Sequence, residues 1–282
     1  MGDEITIRQG RSRADIETCE NLQRAVWGLT DLEVTSTLQL IALLHAGGIL
    51  HLAERPDARA VGFALAIPAI SGGVAHLHSD MLAVLPEQQN RGLGTRLKWA
   101  QRKDALAAGI SLVTWSYDPL QARNASLNLR RLGAEAAELL PNFYGVTSSG
   151  LHHRMPTDRL LVRWELESER VRALAGRPEE ASRTGPMPDL PAINDVKWQA
   201  GWPVSSEPVL GLEQPELLLE IPPDWDVLAK AAPHVADAWH HRVRQAFTHY
   251  LDRGYKGVDF VYVQGTGREV GRRRPVYILR RG

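Results

Sequence analysis

A seven-residue segment, residues 89–95, has residue types and spacing suited to holding phosphates. Its sequence is Gln-Asn-Arg-Gly-Leu-Gly-Thr, which follows the pattern Gln-x-x-Gly-x-Gly. It stands after an apolar run at residues 81–85 and before a helix-like segment at residues 95–108. The first amides of a helix have no partner within the helix, and glycines let the backbone come close to a ligand. The segment therefore predicts a pyrophosphate site at the start of a helix.

Two common nucleotide-binding loops do not fit this segment. A P-loop ends in Gly-Lys-Ser/Thr, whereas Gly94 is followed by Thr95 and Arg96. A dinucleotide fingerprint requires a third small residue at the position where Leu97 stands. A nucleotide-binding scaffold is therefore disfavoured, although a Gly-x-Gly after a strand also occurs as a simple tight turn.

The surroundings of the segment resemble the GNAT superfamily of N-acyltransferases, in which such a loop holds the pyrophosphate of acyl-CoA. Residues 78–87 resemble the central strand that runs into the loop, and residues 111–116 resemble the next parallel strand. Residues 123–134 resemble the second motif of the family, an Asn-containing helix start followed by a helix that ends at Gly133.

A closer resemblance is to one GNAT subfamily of predicted acetyltransferases. Its phrases recur here as Ser-Asp-Met-Leu-Ala-Val at 79–84, Trp-Ser-Tyr-Asp-Pro-Leu at 115–120, Asn-Ala at 124–125, Pro-Asn-Phe-Tyr-Gly at 141–145 and Thr-Asp-Arg-Leu at 157–160. Beyond the last phrase the resemblance is loose.

The resemblance implies a mixed α/β (α+β) fold of the GNAT type, with a strongly twisted central sheet flanked by helices. The apolar periodicity predicts strands at 5–8, 49–54, 60–67, 76–85, 111–116 and 160–166, and helices at 14–27 and 37–45. Residues 167–190 are rich in Gly, Pro, Ser and charge, and predict a linker. We therefore predict a GNAT acyl-CoA-binding domain at residues 1–166, a linker at 167–190 and a further domain at 191–282.

The predicted C-terminal domain has a strand at 216–221, a helix at 234–252 and strands at 258–263 and 275–279. This order resembles the later half of a GNAT domain, so we interpret it as a degenerate half-repeat. Its glycines, Gly265 and Gly267, follow a strand in a hairpin-like position and not at a helix start. No second cofactor site is therefore expected.

Composition excludes several classes of protein. Lys and Arg total 33, as do Asp and Glu, so the basic excess typical of nucleic-acid-binding proteins is missing. Cys19 is the only cysteine, which excludes an internal disulfide and a cysteine-built metal site. No signal pattern or long apolar run stands in the sequence, so we expect a soluble, cytoplasmic protein without a membrane partner.

The resemblance also implies cofactor contacts. Backbone groups of the central strand pair with the pantetheine arm in the family, and the Val84 amide is our oxyanion-donor candidate. The expected cofactor-binding residues are Leu82, Ala83, Val84, Gln89, Asn90, Arg91, Gly92, Leu93, Gly94, Thr95 and Asn124. Arg91 and Arg96 are placed to add positive charge.

An amine must lose a proton before it attacks, so a base is expected. His76 and His78 alternate on one strand with Asp80 next in phase, which fits either a base at His78 or a plain polar sheet face. No third ligand accompanies the His-x-His pair, so no metal is predicted. Glu33 is a second candidate base, because it lies in the first inter-helix region. In GNAT enzymes, residues of this region often line the acceptor site.

The general acid departs from the family pattern. Many GNAT enzymes have a Tyr where Leu129 stands, and a leucine cannot protonate a leaving thiolate. Either Tyr144 or Tyr117 replaces it, or the thiolate leaves unprotonated. We expect Tyr144 to act.

The combined prediction is an acyl-CoA-dependent N-acyltransferase that acts on a small amine or amino acid by direct attack in a ternary complex. Acetyl-CoA is the default donor, and succinyl-CoA is an alternative that would need a cation such as Arg123 or Arg159. A non-catalytic CoA-binding module is the rival interpretation, favoured by the missing tyrosine. A homodimer is left open.

Overall fold

The computed structural model describes residues 4–145, 155–175, 186–265 and 272–282. The helices are α1 (Arg13–Trp27), α2 (Thr37–His45), α3 (Leu93–Ala107), α4 (Ala122–Ala125), α5 (Glu169–Ala175), α6 (Trp225–Ala231) and α7 (Pro233–Leu251). The strands are β1 (Thr6–Gln9), β2 (Ile49–Glu54), β3 (Ala60–Ser71), β4 (Val74–Val84), β5 (Leu112–Tyr117), β6 (Glu135–Leu140), β7 (Arg159–Glu165), β8 (Val196–Gln199), β9 (Trp202–Ser205), β10 (Glu216–Glu220), β11 (Tyr255–Gln264) and β12 (Arg273–Arg281).

The chain divides into two compact units. The first comprises Met1–Trp115 and Glu165–Ala175, and the second comprises Ser116–Trp164 and Gly176–Gly282. The predicted division into a domain at residues 1–166, a linker at 167–190 and a further domain at 191–282 stays a prediction.

The first unit contains strands β1 to β5 in sequential order. Neighbouring strands from β1 to β4 are antiparallel, and β4 pairs with β5 in parallel. The core of this unit is built from alternating strand residues and the inner faces of α1 and α3. Its fully buried members include Phe63, Leu65, Leu97 and Cys19.

Helix α1 starts where the sequence provides a reciprocal cap. The Ser12 side chain accepts from the amide of Asp15, and the Asp15 carboxylate accepts from the amides of Arg11 and Ser12. Arg8 on β1 donates to both Asp15 oxygens, at 2.6 and 3.1 Å. These bonds fix the entry of the helix relative to the first strand.

The second unit contains a sheet in the order β7-β6-β11-β12-β10, in which every neighbouring pair is antiparallel, and a separate β8-β9 hairpin. Helix α7 contributes the buried Trp239, Phe247 and Tyr250 to the core of this unit. Helix α4 continues into a π-helical turn, Ser126–Arg131. Gly133 then ends the helical segment with a φ of 72°, as its position in the sequence predicts.

The structure is a mixed α/β fold with mostly antiparallel strands and flanking helices, which confirms the predicted fold class. The predicted strands and helices are all present, with bounds that differ by a few residues. Sequence reasoning missed β6, α5, α6 and the β8-β9 hairpin. That residues 191–282 form a degenerate repeat stays a prediction, and residues 266–268 of the predicted hairpin lie outside the described residues.

No helix in the described ranges is long and apolar enough to cross a membrane.

Candidate active site

The glycine loop presents unbonded backbone amides at the start of α3. After the 3-10 turn Pro86–Gln88, Asn90 and Gly92 adopt positive φ angles of 61° and 78°. The first bond within the helix runs from the Arg96 amide to the Gly92 carbonyl oxygen, over 3.0 Å. Among the described residues, the amides of Leu93, Gly94 and Thr95 have no acceptor, and no side chain caps this helix start.

Gly92 is suited to this place in two ways. Its positive φ favours glycine. A Cβ added to Gly92 would meet no atom within 4 Å, so the space beside the loop is open. Together with the free amides and the positive end of the α3 dipole, this geometry fits a pyrophosphate.

Side chains tie the loop to its surroundings. The Gln89 amide group donates to the Val84 carbonyl oxygen over 3.0 Å, which joins the loop to the end of β4. Arg91 donates to Gln88 Oε1 over 3.5 Å. Arg96 reaches away from the loop and donates to the Ile5 carbonyl oxygen over 2.6 Å, so of the two predicted cations Arg91 alone is held within the loop.

Beyond His78, the edge of β4 that faces β5 has no partner strand among the described residues, and we call it the open edge. The pairing of β4 with β5 is limited to Leu77 with Val113 and His78 with Thr114, although β4 continues to Val84. The amide of Leu85 donates to the carbonyl oxygen of Val61 in β3. Because amide directions alternate along a strand, the amides of Leu82 and Val84 point to the opposite, open side. The amide of Ala83 points towards β3.

His78 stands at the last paired position before this open edge. Its Nδ1 lies 3.0 Å from Thr114 Oγ1. Burial lowers the pKa of His78. Asp80 opposes this shift, whereas His76 and Lys98 lower the pKa of His78 further. The imidazole is therefore neutral near pH 7 and able to accept a proton.

Asp80 is the extra residue of a β-bulge. Ser79 pairs with Ala66 and Met81 pairs with Leu65, which leaves Asp80 without a partner on β3. Desolvation by neighbouring protein atoms raises the pKa of its carboxyl group. The bulge interrupts the strict alternation that would place Asp80 in phase with His78.

A buried lysine marks the opposite face of the sheet. Lys98 on α3 lies with its Nζ 3.6 Å from the centre of the Trp115 ring and 2.8 Å from Gln101 Oε1. Burial lowers the pKa of this amine well below its ordinary value. Since Thr114 and Trp115 are consecutive in β5, Thr114 and His78 lie on the face of the sheet that is turned away from α3.

Glu33 is exposed and already engaged. Its Oε2 accepts from the amide of Thr30 over 3.0 Å and from the Thr30 hydroxyl over 2.9 Å. These bonds lower the pKa of Glu33, which makes its carboxylate a weaker base.

The remaining predicted residues lie in the second unit. Tyr144 is 55% exposed, and the Arg159 guanidinium lies 5.6 Å from its ring centre. Asn124 is exposed in α4. Tyr117, the alternative acid, is buried, and its hydroxyl donates to the Tyr277 hydroxyl over 3.2 Å. Leu129, at the position of the usual tyrosine, is a fully buried core residue.

Sequence reasoning missed Thr114, although the signal was present. Thr114 and Ser116 alternate within β5, just as His76 and His78 alternate within β4. Two polar alternations on predicted neighbouring strands indicate a shared polar face. The register that pairs His78 with Thr114 is known only from the structure.

Within the described ranges, no group of three or more His, Cys, Asp or Glu residues could hold a metal ion.

Part of the chain matches a known protein family. Residues 16–133, less than half of the chain, match the model of the acetyltransferase (GNAT) family. No curated protein matches the chain.

Solved structures of three acetyltransferases resemble part of the chain. A GNAT family acetyltransferase from Elizabethkingia anophelis with acetyl-CoA bound is 18% identical, with a TM-score of 0.44, over 58% of this chain and 100% of its own. The acetyltransferase of the GNAT family from Streptococcus pneumoniae is 16% identical, with a TM-score of 0.46, over 57% and 98%. IAA acetyltransferase from Bacillus cereus is 14% identical, with a TM-score of 0.44, over 58% and 100%. These identities and TM-scores are too low to assign an activity to this chain.

The family match covers β4, the glycine loop and α3, where the open amides lie. The match over residues 16–133 supports the transferases as the enzyme class.

Proposed function

We propose that this protein is an acyl-CoA-dependent N-acyltransferase that transfers an acyl group directly to the amine of a small molecule or amino acid. The observation that carries the proposal is the set of free amides of Leu93, Gly94 and Thr95 behind the glycine turn. A GNAT family match over the same residues supports it. The subfamily suggested by the phrases of the sequence belongs to the proposal as well.

The chain's own residues account for binding. Amides at the start of α3 hold the pyrophosphate, and Arg91 adds charge beside them. The open edge of β4 offers backbone groups to an extended pantetheine arm, in the way that an added strand would pair. Asn124 is a further candidate contact. An acyl-CoA thioester supplies an acyl carbon that an amine attacks, with the CoA thiol as the leaving group.

Leu82 and Val84 are both candidates for the oxyanion donor. Both amides point to the open side, but strand residues rise about 3.3 Å each, so Leu82 lies roughly 13 Å from His78 and Val84 roughly 20 Å. A base acts within hydrogen-bond reach or through water. Both separations exceed this reach, so the position of His78 does not decide between the two amides, and Val84 stays the proposed oxyanion donor with Leu82 as the alternative.

His78 is the better base of the two candidates. It is half-buried and neutral near pH 7, because burial lowers its pKa. Glu33 is exposed, and its bonds to Thr30 lower its pKa. His78 takes the proton of the attacking amine. Tyr144 remains the proposed donor of a proton to the leaving thiolate.

Acetyl-CoA is the donor we propose, with succinyl-CoA as the alternative. A succinyl carboxylate would need a cation. Arg159 and Arg123 are the candidates, and the Arg159 guanidinium is held by the Ser116 carbonyl oxygen at 2.6 Å and the Ser116 hydroxyl at 3.2 Å.

The experiment that tests the proposal has two steps. Thermal-shift measurements with acetyl-CoA, succinyl-CoA, ATP and NAD identify the ligand class, and we expect a rise in melting temperature with the CoA esters alone. Mass spectrometry of a mixed panel of amines and amino acids with the stabilising ester then detects transfer. Stabilisation without transfer would favour the non-catalytic CoA-binding module, and stabilisation by ATP or NAD alone would contradict the proposal.

A further inference from the structure

We propose that a cavity between the start of α1 and the end of α2 is a second binding site, which takes a small amphipathic carboxylate. The cavity has a volume of about 420 Å³. Small-molecule sites commonly have this size, with an apolar wall and a few polar groups that fix the orientation of the ligand. The inference concerns binding alone, so it does not depend on the proposed acyl transfer.

One part of the cavity wall is apolar. Its members come from α1, α2 and β2, and they are Ile16, Ile41, Leu44, Ile49 and Leu50. Ile16 and Leu50 are buried, whereas Ile41 is 38% exposed, so the wall runs from the core to the surface. A hydrocarbon tail that packs on this wall is removed from water, which favours binding.

The polar part of the wall is basic. Gln9 and Arg11 line the cavity at the end of β1, and His45 lines it at the end of α2. Among the described lining residues there is no Asp or Glu. A wall whose ionisable side chains are all basic favours an anionic head group over a cationic one.

Gln9 orients the Arg11 side chain. The Gln9 amide group donates to Asp104 Oδ2, which leaves Gln9 Oε1 as the acceptor for Arg11. Arg11 donates to this oxygen through Nε at 3.0 Å and through Nη2. In the described part of the chain, no carboxylate pairs with the Arg11 side chain. Its charge is therefore available to a carboxylate of the ligand, as a charge-assisted hydrogen bond.

The two carboxylates beside these residues are held by other donors. Arg8 donates to both oxygens of Asp15, at 2.6 and 3.1 Å. Asp104 Oδ2 accepts from Gln9 and lies 2.8 Å from Nε2 of His51. Neither carboxylate therefore occupies Arg11.

The end of α2 does not present free acceptors to the cavity. The carbonyl oxygens of Ala42, Leu43 and Leu44 each accept from an amide of the turn that follows, at 2.9 to 3.1 Å. These bonds close the C-terminal end of the helix, where unbonded carbonyl groups would repel an anion.

The cavity is separate from the edge of β4 that we assign to the cofactor. Strand β3 lies between β2 and β4, and β1 lies beyond β2. Neighbouring strands are about 4.8 Å apart, so the β2 backbone lies roughly 10 Å from β4. The open edge of β4 faces the other way, towards β5. Reacting atoms must approach within about 3.5 Å, so a ligand in this cavity is not the acceptor of the acyl group.

The test uses octanoate as the probe, with octanol and octylamine as neutral and cationic compounds of the same chain length. Calorimetric titration into the full chain at neutral pH should show one octanoate site. We expect octanol to bind about tenfold more weakly or less, and octylamine not to bind, because Arg11 forms a charge-assisted bond with the carboxylate alone. Absence of saturable octanoate binding would overturn the proposal, as would octanol binding as tightly as octanoate.

Replacement of Arg11 by Gln should weaken octanoate binding by about tenfold or more and bring its affinity to that of octanol. The control is Arg59→Gln, which removes an exposed arginine from the turn between β2 and β3 and should leave octanoate binding unchanged. Unchanged octanoate affinity in folded Arg11→Gln would contradict the proposal.

Two replacements of Ile41 locate the site and decide the outcome if Arg11→Gln does not fold. Ile41→Asp places a carboxylate in the wall, and Ile41→Asn has nearly the same shape without the charge. We expect octanoate binding to be lost in Ile41→Asp and kept, though weaker, in Ile41→Asn. Ile70→Asp is the control, because Ile70 is 79% exposed in β3 and does not line the cavity. Equal octanoate affinity in Ile41→Asp and Ile41→Asn would overturn the proposal.

Competition separates this site from the proposed function. Acetyl-CoA should bind equally well with and without saturating octanoate, because the two ligands occupy different places. Displacement of octanoate by acetyl-CoA would contradict a second site. Failure of acetyl-CoA to bind at all would contradict the proposed function, whereas octanoate binding would then still be expected.

Discussion

The Gln89 side chain donates a hydrogen bond to the Val84 carbonyl oxygen over 3.0 Å. This contact joins the first residue of the glycine loop to the last residue of β4. Val84 and Leu82 also direct their amides to the open side of the strand. One glutamine therefore links the two parts of the chain that we assign to the cofactor, the loop for the pyrophosphate and the strand for the pantetheine arm.

Replacement of Gln89 by Ala should weaken CoA binding up to about tenfold, because one neutral hydrogen bond contributes roughly 1 kcal/mol. The measurement is calorimetric titration of CoA into both proteins, with melting temperatures recorded alongside. Gln121→Ala is a matched control, since it removes a glutamine that bonds to Asp226 in the second unit. A loss of stability with unchanged CoA affinity would mean that Gln89 only supports the fold.

Replacement of Tyr144 by Phe should lower kcat by roughly 10²-fold or more if Tyr144 donates a proton, and should barely alter CoA binding. The ring is 55% exposed, so loss of the hydroxyl should not disturb the core. The rate is measured with the acceptor found in the amine panel. Tyr262→Phe serves as the control, because Tyr262 lies in β11 with its ring against Phe260. Wild-type turnover in Tyr144→Phe would favour departure of the thiolate without an acid.

CoA should bind with a stoichiometry of one per chain. In the described residues, the glycine turn with free helix amides occurs in the first unit, at the start of α3. Titration of CoA into the full chain measures the number of sites. A value near two would show that the half-repeat interpretation of residues 191–282 is wrong.

Replacement of Asp118 by Asn should stabilise the protein at high pH. Desolvation raises the pKa of Asp118 to about 6. A raised pKa means that the folded state holds the proton more tightly, so stability falls as pH rises from about 4 to about 6 and stays reduced above. Asn keeps an oxygen that can accept from the Leu120 amide, the bond that Asp118 makes at 2.8 Å.

The expected gain for Asp118→Asn is on the order of 2 kcal/mol at pH 8 and close to zero at pH 4. Melting curves across this pH range test it, with Asp189→Asn, on the surface, as the control. If stability depends on pH equally in the wild type and in Asp118→Asn, the raised pKa of Asp118 is contradicted.

The local part of the fold could be predicted from the sequence. Helix α2 and strand β2 lie at the predicted residues 37–45 and 49–54, because caps and apolar alternation are local signals. Strand β6 was missed since Glu-Ala-Ala-Glu-Leu-Leu favours a helix by propensity, and its pairing with β7 overrides that preference.

The candidate site, like the fold, could be predicted from the sequence only where its signals are local. The glycine loop is a continuous sequence pattern and could be predicted, including the helix that follows it. The contact between His78 and Thr114 and the bulge at Asp80 depend on which strands pair and in which register. Such information is not local, and a single sequence does not contain it.

Titration of CoA into the wild type, Gly94→Glu and Gly211→Glu tests the central claim most directly. Gly94 supplies one of the free amides at the start of α3, and a glutamate there would add a side chain and a charge that repels phosphate. Gly211 is exposed, with open space around it, so Gly211→Glu adds the same charge elsewhere. We predict that CoA affinity collapses in Gly94→Glu and is unchanged in Gly211→Glu, with both proteins folded. Unchanged CoA binding in folded Gly94→Glu would contradict the account.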